Sequence, residues 1–197
     1  MYGDLVPDDR RTQLHRVATD LAFCSERLDR AAFRRPDASP SIPNDLHESE
    51  RAVLDPLLAD GFELVGAGSA RCVLGFPSDS PLSDHVVKLP RFGVSPPSSG
   101  VVQNKREALI WGRHGRGGDW PLVPVADYEP ERFSWLVMPR GDPLAERPEV
   151  ERDERLRRVR SRVRFLEPFD MRELFAANVV LVDGEPLLAD YGLPEGL

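Results

Sequence analysis

The stretch 62-FELVGAGSARCVLGF-76 predicts two short β-strands joined by a glycine-containing turn. Apolar residues fill both halves of the stretch, whereas Gly66, Ala67, Gly68 and Ser69 form its small and polar middle. Glycines in such a turn let backbone N–H groups approach phosphate oxygens, because no Cβ stands in the way. A Gly-x-Gly turn is also common in ordinary hairpins. By itself, therefore, the stretch predicts only a tight hairpin.

A lysine stands in the next predicted strand, 85-HVVKLP-90. The chain has 26 basic residues, of which only Lys88 and Lys105 are lysine, so a lysine within an apolar run is unusual here. Such a lysine lies either at a sheet edge or buried with a partner. The candidate partner is Glu107 in the predicted helix 103–115. The alternative is that Glu107 faces solvent beside Lys105.

The segment 177-ANVVLVDGEPLLADYG-192 predicts a β-hairpin with an Asp-Gly turn. Asn178 precedes its first strand and Asp190 follows its second. Oxygen donors from the two ends of one short hairpin can hold a magnesium ion together, since Mg²⁺ prefers carboxylate and phosphate oxygens.

Taken together, these segments resemble the protein-kinase-like family, whose motifs occur here in the family's order. The matching segments are Gly66-x-Gly68-x-x-Arg71-x-Val73, Val86-Val87-Lys88, Glu107, Asn178 and Asp190-Tyr191-Gly192. The resemblance covers residues 62 to 192. It implies an α+β fold with an antiparallel-sheet N-lobe, a reduced C-lobe and extra N-terminal helices.

The resemblance also implies an ATP site with magnesium. The residues expected to contact the nucleotide are Gly66, Gly68, Ser69, Val73, Lys88, Glu107, Met138 and Asn178. Lys88, positioned by Glu107, would hold the α- and β-phosphates, and Asn178 and Asp190 would hold Mg²⁺. Met138, followed by 139-PRG-141, would border the adenine pocket. The candidate catalytic residues are Glu173, Lys88 and Asp190.

The match departs from the family at the catalytic loop. Met171-Arg172-Glu173 stands where the family has His-Arg-Asp, which leaves Glu173 at the base position. Its longer arm shifts the carboxylate, and a misplacement of about 1 Å can cost roughly 10²-fold in rate. Asp170 is expected to be a loop or capping residue. Arg71 replaces the third glycine of the loop, where it would contact either phosphate or solvent.

The sequence predicts three regions: a helical extension with a proline-rich linker (1–61), the N-lobe (62–139) and the small C-lobe (140–197). Helices are expected at 8–34, 46–60 and 146–166, with Asn44 or Asp45 capping the second, and strands at 121–128 and 133–139. The chain ends shortly after Gly192, so we expect no activation segment. The N-terminal helices or a protein partner would then complete the C-lobe.

Composition narrows the classes of partner. The net charge of −7 and a pI of about 5.2 argue against binding to nucleic acid or to an anionic membrane, both of which favour a basic face. No apolar run is long enough to span a bilayer, and no signal peptide is expected. Two cysteines are expected to be reduced thiols in a cytoplasmic protein.

Three functions are compatible with these motifs. The first is an ATP- and Mg²⁺-dependent phosphotransferase with a non-standard acceptor. The second is a pseudokinase that works as a binding or scaffold module in a larger assembly, such as a viral or plasmid-encoded complex, and uses helices 8–34 and 150–164 as contact surfaces. The third is an unrelated α+β binding domain in which the motifs coincide by chance.

Overall fold

The computed structural model describes residues 5–32, 46–91, 99–115, 120–163 and 174–192, and in these ranges the fold is α+β with antiparallel sheets. The α-helices are α1 (Asp8–Ala32), α2 (Glu48–Ala59), α3 (Gly100–His114) and α4 (Glu149–Val163). The strands are β1 (Glu63–Ala67), β2 (Arg71–Gly75), β3 (His85–Pro90), β4 (Asp127–Tyr128), β5 (Leu136–Pro139), β6 (Asp142–Pro143), β7 (Val179–Val182) and β8 (Glu185–Leu188). No helix in the described ranges is long and apolar enough to cross a membrane.

The larger sheet has five antiparallel strands in the order β1-β2-β3-β5-β4. The apolar, β-branched runs on either side of the glycine turn pair with each other, as their patterns predict. Lys88 lies in β3, the middle strand, where it is opposite Val73 of β2 and Leu136 of β5. The lysine is therefore not at a sheet edge, and its charge needs a partner inside the protein.

The smaller sheet contains the predicted C-terminal hairpin, in the order β6-β7-β8. Asp183 and Gly184 connect β7 and β8 with φ angles of 51° and 80°. Positive φ at both central residues is the geometry of the tight turn that suits the twist of a β-hairpin, and Asp-Gly adopts it readily. The turn places Asn178 and Asp190 at the same end of the hairpin.

Helices α1 and α2 pack against the larger sheet and share one hydrophobic core with it. This core buries Leu14, Val17, Leu21, Leu54 and Leu57 of the helices against Cys72, Leu74, Val87 and Leu89 of the strands. Helix α2 begins after His47, and not after Asn44 or Asp45 as the sequence predicts. The ring of His47 accepts from the N–H of Ser49 at 3.2 Å, while Glu50 accepts from the N–H of His47 at 2.9 Å.

A second core joins α4 to the hairpin and to the near side of the larger sheet. Its members include Leu144, Leu156, Val159, Val163, Val179 and Leu188. Val150 at the start of α4 is exposed, whereas Leu156, Val159 and Val163 further along the helix are buried. Helix α4 is thus held by its second half.

The predicted strand at 121–128 is mostly irregular, and only Asp127 and Tyr128 form a strand. Proline at positions 121 and 124 has no N–H to donate to a ladder, which interrupts regular pairing. Leu122 instead makes a single parallel bridge to Leu188, and this bridge ties the segment to the hairpin.

Candidate functional site

A cleft of about 510 Å³ is lined by residues of both sheets. Pockets for small ligands commonly have volumes of about 300–1,000 Å³. Most of the residues that the sequence singled out line this cleft: Gly66, Gly68, Ser69, Val73, Lys88, Met138, Asn178 and Asp190. The fold therefore brings together segments that are more than a hundred residues apart in the sequence.

The glycine hairpin between β1 and β2 borders the cleft. The N–H of Gly68 donates to the carbonyl of Arg71 at 2.8 Å and closes the turn. A Cβ at Gly66 would meet nothing within 4 Å, and one at Gly68 would approach only the Arg71 carbonyl, at 3.8 Å. Packing therefore does not require glycine at either position. The glycines leave the hairpin backbone open to the cleft, which is what a ligand lying against that backbone would need.

Apolar side chains from three adjacent strands form one wall of the cleft. Val73 lies on β2, Val86 on β3 and Met138 on β5, and Val86 is directly opposite Met138 in the sheet. Pro139, the last residue of β5, and Gly141 beyond the strand continue the lining. A wall of this kind suits a flat, largely apolar ring, because contact with such a ring removes apolar surface from water.

Lys88 and Glu107 form a buried ion pair at the cleft. The Nζ atom of Lys88 is 2.9 Å from Oε2 and 3.1 Å from Oε1 of Glu107, and it also donates to the carbonyl of Ala189. Glu107 is fully buried and Lys88 is 6% exposed. Helix α3, capped by the side chain of Ser99, carries Glu107 against the sheet. The alternative that Glu107 faces solvent is thus excluded.

Arg71 is a second buried cation at the same place, which the sequence did not predict. Its Nη2 atom is 2.8 Å from Oε1 of Glu107 and 2.5 Å from Oδ1 of Asp190. Its Nη1 atom donates to Oδ1 of Asn104 at 3.2 Å. Arg71 is therefore shielded from bulk solvent, and it is one of the residues that line the cleft. Together, Arg71, Lys88, Glu107 and Asp190 are called the four-charge cluster below.

Opposite charges and burial shift the pKa values of the four-charge cluster. Burial lowers the pKa of Lys88, and the nearby Arg71 lowers it further. Burial alone would raise the pKa of Asp190, but Arg71 and Lys88 outweigh it and hold that pKa below its ordinary value. Burial opposes the charge of Arg71, yet Glu107 and Asp190 raise its pKa. Asp190 is consequently a carboxylate paired with a guanidinium at neutral pH.

Asn178 and Asp190, the predicted magnesium ligands, both line the cleft. The carbonyl of Asn178 accepts from the N–H of Ala189 at 2.8 Å, which fixes the two ends of the hairpin beside each other. Within the described ranges, no group of three or more His, Cys, Asp or Glu residues could hold a metal ion. The arrangement does not fit Mg²⁺, because the guanidinium of Arg71 already lies within hydrogen-bond distance of Asp190, which is the carboxylate of these two residues.

The two residues after Asp190 anchor this segment to the rest of the protein. Tyr191 is buried, and its hydroxyl donates to the carbonyl of Val123 at 2.9 Å. Burial, together with the charge of Glu107, raises the pKa of Tyr191 well above its ordinary value. Gly192 packs so closely on α3 that a Cβ would overlap the backbone of Gln103. The position of Asp190 is therefore set by contacts on its C-terminal side.

A second buried ion pair, also missed from the sequence, supports the glycine hairpin from behind. Arg91 donates from Nε to Oε1 of Glu50 at 2.9 Å and from Nη2 to Oε2 at 2.8 Å. Arg91 also donates to the carbonyl of Gly68 and, through its backbone N–H, to the carbonyl of Ala70. The one sequence signal for Glu50 was its position three residues after His47, the N-cap of α2, where a glutamate side chain can accept from the backbone N–H of the cap residue.

The proposed catalytic base, Glu173, lies outside the described residues, together with Asp170, Met171 and Arg172.

The sequence matches no protein-family model, and no curated protein matches it. The resemblance to the protein-kinase-like family therefore rests on the sequence motifs alone.

Proposed function

We propose that the chain is an ATP-binding module with a kinase-like cleft, and that it acts through binding rather than through phosphoryl transfer. The observation that carries the proposal is the buried ion pair between Lys88 of the central strand and Glu107 of α3, beside an open glycine hairpin. The order of the motifs along the chain, from which the family resemblance was drawn, supports the same proposal.

A purely structural role explains the ion pair less well. Burying two charges costs free energy that their attraction repays only in part, so well-packed apolar residues of similar volume often stabilise a fold at least as much. Lys88 and Glu107 are nearly or fully buried, and Lys88 borders the cleft. Charged groups with shifted pKa values in a cleft are candidates for a functional site.

The chemistry along the cleft favours an adenine nucleotide. The apolar wall formed by Val73, Val86 and Met138 fits a purine ring, and Lys88 lies among the residues that would meet a phosphate chain. The open backbone of the glycine hairpin would supply N–H donors to the phosphate oxygens. A phosphate beside Lys88 would replace the Ala189 carbonyl as an acceptor for its ammonium group.

The charge arrangement favours binding over transfer. In enzymatic phosphoryl transfer, metal ions bridge the phosphates and neutralise the charge that develops on them. Here the Asp190 carboxylate is already paired with Arg71. This observation favours the non-catalytic alternative. We also propose that a protein partner completes the small C-lobe of the module.

Isothermal titration calorimetry with ATP in a magnesium-containing buffer tests the proposal. The chain should bind ATP at one site, and Lys88→Gln should weaken binding by about tenfold or more, since a phosphate would lose its cationic partner. Lys105→Gln is the matched control, because Lys105 is exposed on the outer side of α3 and is the only other lysine.

Three results would contradict the proposal. Absence of binding at millimolar ATP, or equal affinities for the wild type and Lys88→Gln, would show that the cleft is not a nucleotide site. Release of the γ-phosphate at a rate that falls in Lys88→Gln would instead establish catalysis and refute a role through binding alone.

A further inference from the structure

The guanidinium of Arg71 lies between the carboxylates of Glu107 and Asp190. One nitrogen, Nη2, contacts both of them, at 2.8 Å and 2.5 Å. Asn104, itself fully buried, accepts from Nη1 at 3.2 Å and donates to the carbonyl of Phe133 at 3.0 Å. Arg71 is therefore held by partners from α3 and from the C-terminal hairpin, and its position is not that of a freely rotating surface side chain.

The four-charge cluster is electrically balanced, with Arg71 and Lys88 against Glu107 and Asp190. A divalent cation at Asp190 would have to displace the Arg71 guanidinium, or else lie beside two positive groups that repel it. In the first case the guanidinium would lose Asp190 as a partner while it remains buried, since Arg71 is only 6% exposed. Both outcomes oppose metal binding at this carboxylate.

Resting on the proposed function, we propose that this cleft binds the nucleotide without a divalent cation, and that Arg71 occupies the place a metal would take beside Asp190. A guanidinium carries more N–H donors than these three contacts use, so Arg71 can also face phosphate oxygens together with Lys88. The phosphate chain then competes with Asp190 for the two cations.

Because of this competition, the expected effect of one substitution on nucleotide affinity has the opposite sign. In a site where Asp190 holds a metal, Asp190→Asn removes a ligand and weakens nucleotide binding. In the site proposed here, Asp190→Asn removes the anion that competes with phosphate for Arg71 and Lys88, so it strengthens binding. Arg71→Gln removes the cation and weakens binding in the absence of metal.

Fluorescence titration of the 197-residue chain with a methylanthraniloyl-ATP probe, displaced by unlabelled ATP, tests the proposal in EDTA and in Mg²⁺. We expect the wild-type dissociation constants in the two buffers to agree within about twofold. In EDTA, Asp190→Asn should tighten binding by about threefold or more, and Arg71→Gln should weaken it by about tenfold or more. Asp84→Asn and Arg158→Gln, at exposed positions, are the matched controls and should bind like the wild type.

Wild-type binding that disappears in EDTA and returns with Mg²⁺ would overturn this inference and leave the proposed function intact. Weaker binding by a folded Asp190→Asn variant would also overturn it. Absence of binding in both buffers would refute the proposed function, and the inference with it. The wild-type comparison needs no substitution, so it decides the question even if a variant fails to fold.

Discussion

Replacing Glu50 by glutamine tests whether α2 is tied to the glycine hairpin through a buried charge. Glu50 is fully buried and Arg91 is 1% exposed, and two hydrogen bonds join their side chains. Glutamine keeps nearly the same volume, and its carbonyl oxygen can still accept from the N–H of His47, so the cap of α2 is retained. The substitution therefore removes the charge and one of the two hydrogen bonds from Arg91, because the amide –NH₂ group cannot accept.

The expected loss of stability is large, because the buried guanidinium of Arg91 would lose the carboxylate of Glu50. Breaking a buried ion pair by neutralising one partner costs about 3–5 kcal/mol. For a chain of this size, each 1 kcal/mol shifts the melting temperature by about 2–4 °C, so Glu50→Gln should lower it by about 6–20 °C. The loss is a large share of the roughly 5–15 kcal/mol that separates folded from unfolded protein.

Urea denaturation followed by far-UV circular dichroism measures the loss. Glu185→Gln is the control, because Glu185 pairs with Arg158 at 2.9 Å on the surface, where both side chains are more than half exposed. The double variant Glu50→Leu with Arg91→Met should recover most of the stability, since it leaves no unpaired charge. A loss below about 1 kcal/mol in Glu50→Gln would refute the buried pair.

Three further changes test other parts of the structure. Burial raises the pKa of the Cys72 thiol to about 12, so a thiol reagent at about pH 9 should label the half-buried Cys24 quickly and Cys72 only when the chain unfolds. Tyr191→Phe removes the hydroxyl that donates to the carbonyl of Val123 and should lower the free energy of unfolding by about 1–2 kcal/mol in urea denaturation. Gly192→Ala should cost about 2 kcal/mol or more in the same assay, because a Cβ would overlap the backbone of α3.

Each of these predictions has a result that would contradict it. Rapid labelling of both thiols in the folded chain would show that Cys72 is accessible. An unchanged free energy of unfolding in Tyr191→Phe would show that its hydroxyl has no partner to lose. The control for Gly192→Ala is Gly112→Ala, where a Cβ on α3 meets nothing within 4 Å and should stabilise the helix. If both glycine variants gain stability, Gly192 does not pack on α3.

The local elements could be predicted because their signals lie within short stretches of sequence. Short apolar runs on either side of a glycine turn predicted β1 and β2, and the Asp183-Gly184 pair predicted the turn of the C-terminal hairpin. The α+β class with antiparallel sheets is confirmed. Glu107 was the candidate partner for Lys88, because a lysine in an apolar strand lies either at a sheet edge or beside a counter-charge, and the structure shows the pair.

The contacts that were missed depend on tertiary packing. Arg71 is 36 positions from Glu107 and 119 positions from Asp190, so no periodicity along the chain connects them. In the sequence, an arginine in a glycine-rich turn is as compatible with solvent as with burial. Glu50 and Arg91, 41 positions apart, are likewise joined only because α2 packs behind β3. Whether a long charged side chain is buried depends on partners that only the fold brings near, so its burial cannot be predicted from the sequence.

The most direct test of the central claim is a crystal structure of the chain with ATP bound. We expect the triphosphate within hydrogen-bond distance of Nζ of Lys88, under the glycine hairpin, with the adenine ring against Met138. ATP bound elsewhere on the surface, or an empty cleft at a concentration that saturates the protein in solution, would show that the cleft is not the nucleotide site.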